Sequence, residues 1–75
     1  MSTTSPMRRR FQFVEGTSSK FWEIQIRGAE TVVRFGRIGS DGQASVKTFP
    51  DATAAAKFAE KVIREKLAKG YQEVH

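Results

Sequence analysis

The stretch of this chain best equipped for chemistry is Arg34-Phe35-Gly36-Arg37, and that chemistry is recognition rather than bond breaking. An aromatic ring packs on a sugar or base face, and a guanidinium forks onto phosphate oxygens. In a regular strand Phe35 and Arg37 share a face. Gly36 between them has no side chain, which lets another backbone or a ligand come close. Lys20, Arg27, Lys47 and the run Arg8-Arg9-Arg10 extend the positive surface. The whole chain carries 13 Lys+Arg against 8 Asp+Glu, a net charge of +5. An excess of that size on a small surface favours a polyanion: nucleic acid, an anionic membrane or an acidic partner. Phe35, Gly36, Arg37, Arg34, Lys47 and Lys20 are the candidate nucleic-acid-binding residues.

Catalytic chemistry finds little support. The sequence has no Cys, which removes disulfides, thiolate metal sites and thiol nucleophiles. The only His is His75, the last residue, so neither a His-based triad nor a zinc site is expected. The serines have no His or Lys constellation around them. Of the 8 carboxylates (Glu15, Glu23, Glu30, Asp41, Asp51, Glu60, Glu65 and Glu73), most read as solvated charges and Asp51 as a helix cap. Gly36, Gly39 and Gly42 lack the Gly-Lys step of a phosphate-binding loop, and no helix follows them. The Gly-x-x-Gly clamp of KH domains lies between two helices, whereas Gly36-x-x-Gly39 ends a strand. These glycines read as a bulge plus a tight turn. The expectation is a non-catalytic module with no cofactor and no metal.

The elements that position these residues follow from periodicity. Seventy-five residues allow one small core. Residues 1–8 read as a disordered N-terminal lead, Ser/Thr-rich with Pro6, and residues 9–75 as the domain. Strands are predicted over 11–15, 21–27, 31–38 and 43–49, separated by Gly-containing turns and stopped by Pro50. The second is the clearest, with Trp22, Ile24 and Ile26 on one face and Glu23, Gln25 and Arg27 on the other. From Asp51 the period changes from 2 to 3.6. Asp51 caps a helix whose apolar stripe is Ala55, Phe58, Ala59, Val62, Ile63 and Leu67, with Lys57, Lys61, Arg64 and Lys66 mostly outside it and Gly70 just past its end. Tyr71 to Val74 could add a fifth strand. The fold class is α+β: an antiparallel sheet of four to five strands with one long helix packed on one face and the other face left open. The Phe35 ring and the Arg37 guanidinium are expected to project from that open face. If they do, Arg34 points toward the helix unless a bulge at Gly36 turns it away. No apolar run approaches the roughly 18 residues of a membrane span. No apolar segment follows the leading residues as in a secretory signal. A monomer in the cytoplasm, without a membrane role, is the expectation.

Several blocks taken together resemble one family. They are Lys20-Phe21-Trp22-Glu23-Ile24-Gln25-Ile26, Val33-Arg34-Phe35-Gly36-Arg37-Ile38-Gly39, Gly42-Gln43, Lys47-Thr48-Phe49, and the helix closing in Lys66-Leu67-Ala68-Lys69-Gly70-Tyr71. In order and spacing these resemble the WGR domain, named for a Trp-Gly-Arg tripeptide, over roughly residues 9–74. The resemblance implies an antiparallel sheet with one helix, found in poly(ADP-ribose) polymerases beside the catalytic region and in bacterial proteins alone or fused to other domains. It also implies a module that senses DNA breaks. The motif Trp packs on the sugar at a DNA terminus, and the motif Arg links DNA to neighbouring domains. By position these become Phe35 and Arg37. Phe in place of Trp reduces stacking area and removes the indole N–H, so a general nucleic-acid role carries over better than break recognition. DNA is expected ahead of RNA. The alternative, read from the open sheet face or edge with Arg37 as a buried ionic anchor, is a protein-interaction module that docks a partner protein or a neighbouring domain.

Overall fold

The computed structural model describes residues 7–74. Of the expected lead, residues 1–6 lie outside the described residues, as does His75, whereas Met7 and Arg8 stand in the first strand. The order of elements is β1 (Met7–Glu15), β2 (Ser18–Arg27), β3 (Glu30–Arg37), β4 (Gln43–Thr48), α1 (Ala52–Ala68) and β5 (Gln72–Val74). The five strands form one antiparallel sheet in the order β4-β3-β2-β1-β5, so the chain's short last strand returns to the edge beside its first.

The strand β1 begins four residues before the predicted start at Phe11, and its basic run is paired to carboxylates of the neighbouring strands. Arg8 and Arg10 pair across to Gln25 and Glu23, and both guanidiniums donate to the Glu23 carboxylate, at 2.8 and 3.0 Å. Arg9 points the other way and forks onto Glu73 of β5 through Nε and a terminal nitrogen, at 2.8 and 2.6 Å. A charged run can hold strand geometry when each cation meets a carboxylate on its own face.

The helix ends follow the sequence closely. Asp51 stands extended at the N-cap, and its Oδ1 accepts from the Ala54 amide at 2.8 Å. At the other end Gly70 takes φ +105°, a left-handed turn that lets the Tyr71 amide reach back to the Lys66 carbonyl at 3.1 Å. Ala59 and Ile63 are buried against Phe11, Trp22 and Ile24 of the sheet, and Ala55 is fully buried one turn earlier on the helix. The two alanines allow a close approach of helix to sheet, and the rings of Phe11 and Trp22 meet at 5.8 Å. Leu67, expected to close the stripe, is 47 % exposed. Steps of four residues advance about 40° each around a helix, so the row Ala55, Ala59, Ile63 has rotated off the sheet by the time it reaches Leu67. Thr31 is fully buried on the sheet beneath this core, and its hydroxyl has no hydrogen-bond partner among the described residues.

Candidate nucleic-acid interface

The register settles which way the Arg34-Phe35-Gly36-Arg37 side chains point. Trp22 pairs with Phe35 and Lys20 with Arg37. Directly opposed residues of an antiparallel pair project to the same face. Trp22 is a core residue under the helix, so Phe35, Arg37 and Lys20 lie on the helix-bearing face. The expectation that the ring and guanidinium leave the open face is therefore wrong. Pairing runs without interruption through Gly36↔Phe21, so no bulge rotates the strand. The apparent conflict over Arg34 resolves in the opposite sense: Arg34 is the residue on the uncovered face.

The ring is nonetheless not sealed. The helix packs over β2 and β3, and Phe35 sits beyond its cover with 41 % of its surface exposed. Between the helix and the β2–β3 hairpin lies a groove of about 830 Å³. Phe35 and Val33 form its floor with Trp22, and Phe58, Val62 and Lys66 form its helical wall. Lys20 and Arg37 stand at one end and Tyr71 closes another side. Lys20, Arg37 and Lys66 are the charged residues among those lining it, and no carboxylate among the described residues lines it. The Lys66 ammonium is set between two rings, 5.5 Å from the centre of Trp22 and 5.3 Å from that of Tyr71. Partial burial holds Lys66 below the ordinary lysine range; Lys69 and Lys20 push the same way, and Glu65 opposes them. An anion in the groove would relieve that penalty.

The other candidates fall in different places. Gly36 lines the groove through its backbone, but the close approach its missing side chain permits is made by the protein itself. A Cβ at position 36 would stand 2.7 Å from the Gly42 Cα. The turn after β3 thus folds back over the uncovered face and covers Phe21, which is 2 % exposed. Gly42 has φ +72°, and a Cβ there would collide with the Phe35 carbonyl and the Phe21 ring. Arg34 donates to the Asp41 carbonyl of that same turn at 3.2 Å, on the side away from the groove. Lys47 is on the helix-bearing face opposite Thr31, with its ammonium 4.7 Å from the Phe58 ring, beside the groove rather than in it.

Lys66, Trp22 and Tyr71 were not among the residues the sequence singled out for binding. Lys66 carried a signal. It lies seven residues after Ala59 and four after Val62, which returns it to the sheet-facing side. A lysine at a stripe position is a cation held over apolar surface.

The sequence profile of the WGR domain matches residues 7–75. The chain belongs to the WGR domain family. Protein YehF of Escherichia coli is 42% identical over 65 residues, covering 87% of this chain and 24% of that protein. The uncharacterized protein YfeS of Escherichia coli is 39% identical over 67 residues, covering 89% of this chain and 28% of that protein. A crystal structure of a Bacteroides fragilis protein superposes with a TM-score of 0.90 at 46% identity, covering 92% of this chain and 20% of that one. This WGR domain thus spans about a quarter of the curated relatives it matches. Among the described residues no cluster of His, Cys, Asp or Glu could hold a metal ion, and no helix is long and apolar enough to cross a membrane.

Proposed function

We propose that this WGR domain is a non-catalytic nucleic-acid-binding module and that the groove beside α1 is its binding site. The observation that supports this best is the composition of the groove: three cations and exposed aromatic surface, with no carboxylate among the lining residues. Phe35 offers a ring to a sugar or base, and Arg37, Lys20 and Lys66 take consecutive phosphates. DNA is the proposed polymer ahead of RNA, and the module acts as a cytoplasmic monomer.

The experiment is a titration with single-stranded and nicked duplex DNA, followed through the fluorescence of Trp22, the chain's only Trp. Binding should perturb that emission and weaken with salt. Arg37→Ala should weaken binding without changing the unfolding transition. Salt-independent binding, or unchanged affinity in Arg37→Ala, would overturn the proposal.

A further inference from the structure

The face of the sheet that the helix leaves bare is also built, and for a different ligand. Its charged side chains on the strands are Arg8, Arg10, Arg27 and Arg34 against Glu23 and Glu30, given the register. Every cation is an arginine, whereas two of the three in the groove are lysines. At its centre one cross-strand row runs Arg10, Glu23, Arg34, Ala44 over four adjacent strands. Glu23 is only 8 % exposed. It ties down two guanidiniums at once, Arg8 through Nε and Arg10 through one terminal nitrogen. Arg10 is further held over the Phe21 ring at 4.5 Å. Arg34 bonds a neutral carbonyl and, among the described residues, makes no ion pair of its own. One carboxylate thus orients two forks whose remaining N–H groups face solvent, and a third stands across the row. Pre-oriented guanidiniums of this kind suit carboxylates taken two oxygens at a time.

The neighbouring row is apolar. Val32 pairs with Val46, which is 60 % exposed although it is a large aliphatic residue on an edge strand. Val32 and Arg34 are two residues apart on β3, a rise of about 6.7 Å. That is the spacing of same-side residues in an extended peptide. A segment laid along β3 with an acidic and an aliphatic residue two positions apart would set a carboxylate on Arg34 and Arg10 and an aliphatic group on Val32 and Val46. A nucleic-acid backbone has a charge at every step, so it would leave half of this surface unmatched and bring phosphates past Glu23.

We propose that the uncovered sheet face docks an acidic, partly aliphatic protein segment through Arg8, Arg10 and Arg34 around Glu23, with the Val32–Val46 pair as its apolar seat. The surface is separate from the groove, so nucleic acid and protein could be held at once on opposite sides of the sheet.

The test is chemical-shift mapping of the domain with a synthetic peptide repeating glutamate-serine-valine-serine, which puts glutamate and valine in turn on one side of an extended strand, and separately with a single-stranded oligonucleotide. The peptide is expected to shift Arg8, Arg34 and Val46 and leave the Trp22 indole unmoved, and added oligonucleotide should not displace it. Arg34→Glu should weaken the peptide about tenfold, and Val46→Ser should weaken it independently. Both positions are exposed, and an unchanged unfolding curve verifies that each variant is folded. Peptide shifts centred on Lys20, Arg37 and Trp22, competition with the oligonucleotide, or no binding at millimolar peptide would overturn the proposal. An oligonucleotide that leaves Trp22 unmoved would count against the groove reading alone.

Discussion

Removing one groove cation should change the salt dependence of DNA binding by a calculable amount. Each phosphate neutralised on duplex DNA contributes about 0.9 to the slope of log affinity against log salt. Lys20, Arg37 and Lys66 line the groove, so the wild-type slope should lie near −2.7 and affinity should fall about 40-fold between 0.05 and 0.2 M salt. Arg37→Ala should flatten the slope to about −1.8 and reduce that fall to about 12-fold. At 0.1 M salt the same loss amounts to about eightfold in affinity, or about 1.2 kcal/mol. Lys20→Ala and Lys66→Met should act alike, with methionine preserving the packing on Trp22 and Tyr71. The control is Arg34→Ala, which removes an equal charge from the opposite face and should leave the slope near −2.7. Fluorescence titrations at four salt concentrations would measure all five proteins. Equal slopes for wild type and Arg37→Ala, or a reduced slope for Arg34→Ala, would refute the assignment of the groove.

Three further outcomes follow from the packing. Gly42→Ala should destabilise the domain by about 1–3 kcal/mol, because it combines a left-handed backbone with collisions against Phe35 and Phe21; differential scanning calorimetry should show the melting temperature lowered by several degrees. Thr31→Val should stabilise by about 1 kcal/mol, since the buried hydroxyl has no partner among the described residues and valine has the same shape; the urea midpoint checks this. Lys66 is held below its ordinary range in the folded state, so the unfolded chain binds more protons in the window between the depressed folded value and the ordinary one. Wild type should therefore gain stability relative to Lys66→Met as the pH rises through that window and the burial penalty lifts, a trend that paired thermal melts from pH 8 to 11 would detect.

Much of the architecture could be read from residue patterns. Asp51 and Gly70 marked the helix ends because capping is local chemistry. Gly16, Gly28 and the Gly39–Gly42 turn marked the strand boundaries for the same reason. The phase of β3 was harder. Val32 and Val33 are adjacent and both apolar, so alternation alone gave no inside or outside. The missing information lay in the hairpin. Its two-residue turn pairs Arg27 with Glu30, and counting back five places sets Phe35 opposite Trp22. A core Trp then drags its partner to the same face. The burial of Glu23 was less accessible, since it depends on a pairing between β2 and a basic run that looked like a solvated flank.

Strand β2 separates two surfaces of opposite purpose. Lys20 and Trp22 look into the groove, while Phe21 and Glu23 support the arginine row behind it. On the two proposals made above, sequence neighbours answer to different ligands, and a change at one need not disturb the other. Inheritance could retune either side of this thin wall independently, which would let a single small scaffold keep its grip on one polymer while exchanging the companion it carries on its back.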